Sequence, residues 1–144
     1  RIMSIHKSKG LEFPIVILAG AHKSINFMDA TAPVLVDQNL GIAVDYVDLE
    51  RRTKTPTIIK GAMARRIVRE SISEEERLLY VAMTRAREKL IITGVVKDAD
   101  KTLEKYRGSA KQLEADGMLS FADSENIKNY LDMIMPVCLW IQIN

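Results

Sequence analysis

The run Phe13-Pro14-Ile15-Val16-Ile17-Leu18-Ala19-Gly20 is apolar from end to end, rich in β-branched residues, and stops at a glycine. A strand with one wet face alternates apolar and polar side chains. An uninterrupted run instead predicts a strand buried on both faces, as in a parallel sheet. Pro14 fits only near its beginning, where no ladder donor is needed. Such a strand requires a core, and 144 residues make about one domain, enough to bury roughly two thirds of the unfolded surface.

Hydrophobic residues at 47% and charged residues at 28% suit a globular chain and exclude a collagen-like, mucin-like or wholly disordered one. No apolar run reaches roughly 18 residues, so no segment is expected to span a membrane. The start, Arg1-Ile2-Met3-Ser4, carries no signal-peptide pattern. The single Cys138 can form no internal disulfide and no metal cluster, so a cytoplasmic location is expected. Charge is unevenly spread. Residues 1–97 hold sixteen Lys/Arg against eleven Asp/Glu, and residues 98–144 hold five against eight. The stretch 51–69 contains Arg51, Arg52, Lys54, Lys60, Arg65, Arg66 and Arg69 with no acid. It reads first as a solvated helix face and second as a track for phosphates. No aromatic residue interleaves it, so base stacking is not indicated.

Ile2–Ile5 is a short β-compatible run, followed by the polar loop His6–Gly10. Val34–Val36 and Ile42–Val44 flank Asp37-Gln38-Asn39-Leu40-Gly41 and predict a small hairpin. Thr57 to about Ser71 has helical spacing. A second helix is expected from Ser73, where Ser73-Glu74-Glu75-Glu76 fits a capping box, to about Arg87. Leu90–Gly94 predicts another strand. Residues 98–124 read as a linker or partly ordered helix, and 125–144 as a helix stopped by Pro136 plus an apolar tail. A chain that begins in a β-compatible run and ends on apolar residues reads as a piece of something larger.

Candidate chemistry follows from placement. On a helical projection with Leu78 at zero, Arg85 falls at about 340°, within the apolar arc that runs from Val81 at about 300° through Leu78 to Ala82, Ala86, Leu79 and Met83. A guanidinium aimed inward requires an anion, either a structural carboxylate or a ligand phosphate. Lys7, Lys9 and Gly10 can present charge and backbone N–H groups to a phosphate, although Gly10 more simply supplies a left-handed turn. No Walker A cradle is present. His6 is either a general base without a sequence-adjacent partner or a structural histidine. Glu12, next to a buried strand, requires hydrogen bonds.

Two segments, taken together, resemble a known family. Ile2-Met3-Ser4-Ile5-His6-Lys7-Ser8-Lys9-Gly10-Leu11-Glu12-Phe13-Pro14 is similar to motif V of superfamily 1 DNA helicases of the UvrD/PcrA/Rep type. Glu75 through Leu90, with its core Val81-Ala82-Met83-Thr84-Arg85-Ala86-Arg87, is similar to their motif VI. The intervening Asp45–Pro56 looks most like the AddA-type helicase–nucleases of bacterial double-strand-break repair. The resemblance implies an α/β fold: a partial RecA-like parallel sheet flanked by helices, forming the C-terminal half of helicase domain 2A over residues 1–97.

Residue by residue, the resemblance implies that Arg85 is the arginine finger reaching the γ-phosphate of ATP, and that Glu12 binds the ribose with Gly10 beside it. Ser4, His6 and Lys9 fall at positions near the DNA phosphates, with Ser4 standing where the family prefers Thr. Arg77 would support the cleft, and Glu76 only caps its helix. The implied parent is an ATP- and Mg²⁺-dependent DNA helicase, with exonuclease activity elsewhere, acting in repair and recombination. Its partners would be single- or double-stranded DNA, the missing motor domains of the same chain and a nuclease partner (AddB-like), with no membrane. The chain alone is expected to bind no cofactor and turn over no ATP. Two other readings stand beside this one: a non-catalytic helicase-like module that binds DNA or a partner, and an unrelated α/β enzyme using His6 and Glu12.

Overall fold

The computed structural model describes residues 1–113 and 126–143. The chain divides into two compact units, one built from Arg1–Ile25 with Glu76–Asn144, the other from Asn26–Glu75.

In the first unit, β1 (Phe13–Ala19) runs parallel to β5 (Ala86–Thr93), with Val16 opposite Leu90 and Ala19 opposite Thr93. The register shifts between Phe13 and Ile15, at Pro14, which has no N–H to give the ladder. The two strands expected from the sequence are therefore present, and the fold is mixed α/β. Burial of β1 on both faces is not observed. Leu18 is buried while Ile15 and Ile17 remain 58% and 63% exposed, because no described element of this unit covers that face. The Ile2–Ile5 run forms no strand. Ile2 is fully exposed, and the local bonds Lys7 N–H to Ser4 O and Ser8 N–H to Ile5 O wind His6–Ser8 into a 3₁₀ turn.

After β5, Asp98 caps α2 (Ala99–Lys111) by accepting from the Lys101 N–H at 3.1 Å. The last described element is α3 (Tyr130–Ile143). It does not stop at Pro136, which lies inside it and is buried. A proline forfeits one backbone bond, to the carbonyl four residues earlier, and Val137, Leu139 and Trp140 beyond it keep part of their surface out of water. The rest of the 98–124 and 125–144 expectations, at residues 114–125 and 144, lies outside the described residues. One carboxylate joins α2 to α3. Asp132 Oδ1 accepts from Lys105 Nζ at 2.8 Å and Tyr106 OH at 3.1 Å, and its Oδ2 accepts from the Lys128 N–H at 3.0 Å. The Leu131 N–H donates to Ala21 O and the Ile25 N–H to Lys128 O, fixing α3 beside the end of β1. A Cβ at Gly94 would lie 2.9 Å from the tip of the Leu131 side chain, so the glycine lets α3 pack close to the end of β5 without that side chain having to move.

The second unit is an antiparallel meander of β2 (Val34–Asp37), β3 (Gly41–Asp48) and β4 (Thr53–Pro56). The expected hairpin forms with Val36 opposite Ile42, and its turn is held by Asp37 Oδ1, which accepts from the N–H groups of Asn39 and Leu40. Those bonds, with Arg66 nearby, hold the Asp37 carboxyl below its usual range. Asp48 repeats the device at the next turn, accepting from Glu50 and Arg51. Leu35, Ala43 and Met63 form the buried centre, flanked by Ala32, Ala64 and Ile67.

A single helix, α1 (Ile58–Met83), replaces the two that were expected. The capping box at Ser73 is not used, so Glu76 is an exposed mid-helix residue and caps nothing. Nothing between residues 62 and 83 breaks a helix, and the Ser71 hydroxyl bonds back to Ile67 O at 2.9 Å within it. The basic stretch is likewise not one helix face. Arg51 and Arg52 lie in the β3–β4 turn, Lys54 on β4, and Lys60 is buried.

Burial and the facing Asp132 raise the pKa of the Tyr106 phenol above its ordinary value of 10.0. The unfolded chain therefore loses this proton first. The stabilisation is complete below about pH 10 and is lost as pH climbs beyond it. Urea denaturation at about pH 8 and about pH 11 should show a steeper alkaline loss of stability for the native chain than for Tyr106→Phe. Equal losses in the two proteins would contradict this.

Candidate functional site

The candidate residues all fall in the first unit, at the corner where α1 ends and the loop before β1 passes. The helix stops at Met83 rather than running to Arg87, so Arg85 is not on a helical arc. It sits in the two-residue turn between α1 and β5. Local hydrogen bonding explains the stop. The Thr84 hydroxyl donates to Tyr80 O at 2.9 Å and Val81 O at 3.1 Å, while the Arg85 N–H closes a tighter turn onto Ala82 O. Side-chain donors thus satisfy carbonyls that an ending helix leaves open.

Arg85 spans the corner. Its Nε donates to Val81 O at 3.0 Å, Nη1 to Leu11 O at 3.2 Å, and Nη2 to Thr84 Oγ1 at 3.0 Å. The backbone reciprocates, with the Phe13 N–H donating to Arg85 O at 2.9 Å. Neither a structural carboxylate nor an inward helical placement accounts for this side chain. It is half-buried, all three acceptors are neutral, and no described acid pairs with it. A guanidinium has five N–H donors, so two remain available with the positive charge intact. The negative end of the α1 dipole at Val81 favours that charge.

Glu12 lies one residue from the tethered carbonyl. Its Oε2 is 3.7 Å from Arg87 Nε, and both side chains are about two-thirds exposed. Gly10 has φ of +80° with open space where a Cβ would be, so the glycine answers a backbone requirement and not a close contact. Ser4, His6 and Lys9 are exposed on or beside the 3₁₀ turn. Ser8 is buried, and its hydroxyl donates to Ile5 O at 2.6 Å. The Leu11 N–H then closes onto Ser8 O at 3.0 Å, linking this turn to the tethered loop. The fold thus brings Gly10, Glu12 and Arg85 to one corner, with Ser4, His6 and Lys9 on the turn leading into it.

Sequence reasoning missed Arg87, Thr84 and the Leu11 carbonyl. Thr84 carried a readable signal, a hydroxyl at a helix end; a backbone acceptor carries none. Among the described residues no three His, Cys, Asp or Glu side chains converge as a metal site. No described helix is long and apolar enough to cross a membrane.

Comparison with known proteins places this corner in context. The UvrD-like helicase C-terminal domain family matches residues 1–97. The chain is 51% identical over 139 residues to the A subunit of an ATP-dependent helicase/nuclease from Clostridium botulinum strain Alaska E43, an alignment covering 96% of this chain and 11% of that protein. It is 50% identical over 143 residues to the protein of the same description from Acetivibrio thermocellus, with the same coverage. For that of Ruminiclostridium cellulolyticum the figures are 49% over 136 residues, 94% of this chain and 11% of the relative. The chain thus spans only about a tenth of the length of the curated relatives it matches.

The tether gives a direct expectation. Replacing Arg85 by Ala removes the bond to Leu11 O but leaves the β1–β5 ladder, so the fold should persist while the loop loosens. Hydrogen exchange at the Lys9 and Leu11 amides should accelerate at least several-fold, with exchange in β5 unchanged. Unaltered exchange in that loop would mean the guanidinium does not hold it.

Proposed function

We propose a function from the family to which this chain belongs, the UvrD-like helicase C-terminal domains. The chain is the C-terminal part of motor domain 2A in an ATP-dependent DNA helicase of the AddA helicase–nuclease type. The parent acts in double-strand-break repair and recombination. Residues 1–97 supply the motor portion, and 98–124 with 125–144 form the tail that follows it. The Walker A lysine, the Mg²⁺ ligands and any nuclease centre belong to the longer polypeptide, and an AddB-like protein is its nuclease partner.

The observation that carries this reading is the state of Arg85. Three neutral acceptors hold its guanidinium, which keeps its charge and two donors for an incoming anion. Such a group fits the terminal phosphoryl of ATP presented by a neighbouring lobe, where it stabilises charge as the phosphoryl transfers. An arginine in that role is worth about 10³–10⁵ in rate. Glu12, a carboxylate held only by a long, solvated pairing with Arg87, keeps acceptor capacity that fits the hydroxyls of the ribose. Because the Leu11 carbonyl is bonded to Arg85, a movement of the finger pulls on the loop that continues to Lys9, His6 and Ser4. That continuity offers a physical route from nucleotide closure to the DNA phosphates.

In the intact enzyme Arg85→Ala should lower ATP turnover by about three orders of magnitude or more while largely sparing nucleotide binding. Unchanged turnover would remove Arg85 from the mechanism. The chain by itself should turn over no ATP, and Arg85-dependent turnover by the purified chain would overturn the division of labour proposed here.

A further inference from the structure

In the unit formed by Asn26–Glu75, we propose that the recess at the N-terminal end of α1 is an anion site that takes a single phosphate group. The inference is independent of the ATP reading, since it concerns the other compact unit.

The recess has a volume of about 440 Å³, and the charged side chains lining it are Lys54, Lys60 and Asp45. Both lysines converge on one oxygen. Asp45 Oδ2 lies 2.7 Å from Lys60 Nζ and 3.0 Å from Lys54 Nζ. Lys60 is only 8% exposed, and its ammonium also donates to Pro33 O at 3.0 Å. A buried ammonium requires such partners, so the Lys60–Asp45 pair accounts for itself as structure. Lys54 does not. It is 59% exposed, it stands on an edge strand, and it adds a second positive charge to an oxygen already occupied.

These two hydrogen bonds hold the Asp45 carboxyl well below the ordinary carboxylate range, so at neutral pH it carries one full negative charge against two positive ones. The recess therefore keeps a net positive charge, with two like charges held close together. The first turn of α1 reinforces it. Lys60 and Gly61 belong to that turn, where the helix dipole is positive. Their own N–H groups are already accepted by the Thr57 hydroxyl and carbonyl oxygens, so an incoming anion would meet the dipole and the lysine ammonium groups but neither of these two amides. The floor is open as well as positive. A Cβ on Gly61 would meet nothing within 4 Å, and the next lining residue on the helix is Ala64. A monoanionic phosphate or phosphodiester entering here neutralises the excess, meets a free donor of each lysine and displaces no side chain.

The test uses the 144-residue chain labelled with nitrogen-15 and titrated with inorganic phosphate against sodium chloride of matched ionic strength. The expected result is saturable shifts at the amides of Lys60, Gly61 and Ala64 with phosphate only. In Lys54→Ala, which leaves the Lys60–Asp45 pair in place and should keep its amide dispersion, phosphate affinity should fall about tenfold. A parallel titration with a short oligothymidylate identifies the source of the phosphate. The same amides shifting at lower oligonucleotide concentration assign a strand backbone, and a response to inorganic phosphate alone assigns a free anion. Shifts matched by chloride, or an affinity unchanged in Lys54→Ala, would overturn the site.

Discussion

The first unit depends on one guanidinium that closes a corner between segments far apart in sequence. Arg85 bonds Val81 O at the end of α1 and Leu11 O before β1, while its own carbonyl accepts the first ladder bond from Phe13. Hydrogen bonds from a charged group are worth about 1.5–3 kcal/mol each in favourable settings, against roughly 0–1 kcal/mol for an exposed ion pair. The part-buried bond to Val81 O belongs to the stronger class and the exposed bond to Leu11 O falls below it. Together with the backbone bond from Phe13, and not the solvated Glu12–Arg87 pair at 3.7 Å, they set the geometry of the corner. The same reasoning explains how a cation can be ordered here without an acid. The helix end supplies partial negative charge without cancelling the full positive one.

What sequence could and could not read divides along the range of the interactions. Local signals held: the apolar strands around Val16 and Leu90, the hairpin at Asp37–Gly41, and the glycine that Gly10 needs at φ +80°. Signals that compete with a neighbour did not. The Ser73 capping box is a good helix start in isolation, yet an existing helix already ran through it and no breaker intervened. Pro136 is a good stop in isolation, yet buried apolar packing carried α3 past it. The helical projection placed Arg85 by the wrong geometry. The arc predicted an inward helix residue, whereas the side chain is a half-buried turn residue bonded to carbonyls, which leave no imprint on the sequence.

The two units meet the same problem of buried polarity in opposite ways. In the first, the buried Asp132 on α3 collects an ammonium, a phenol and a backbone N–H, so a single acid is met by donors from α2 and from the segment before α3. In the second, the nearly buried Asp45 collects two ammonium groups and leaves an excess of charge. Neither cluster is visible as a motif. Asp132 and Tyr106 are 26 residues apart and Asp45 and Lys60 are 15 apart, spacings that acquire meaning only once the meander and the helix pair have formed.

The apolar strand β1 also shows where a sequence pattern stops being informative. Val16 and Leu18 differ in burial from their neighbours: Leu18 is enclosed, whereas Ile15 and Ile17 face outward in the same strand. An apolar pattern encodes the burial a strand is suited to, whereas the folded chain shows the burial that its own elements provide. The same difference recurs in the second unit. There Leu35 and Ala43 are buried, while their strand neighbours Val34, Val36, Ile42 and Val44 are at least 50% exposed. Two sheets in separate units thus carry apolar side chains on a face their own unit leaves open. A binary pattern read as proof of a closed core would overstate what 144 residues enclose.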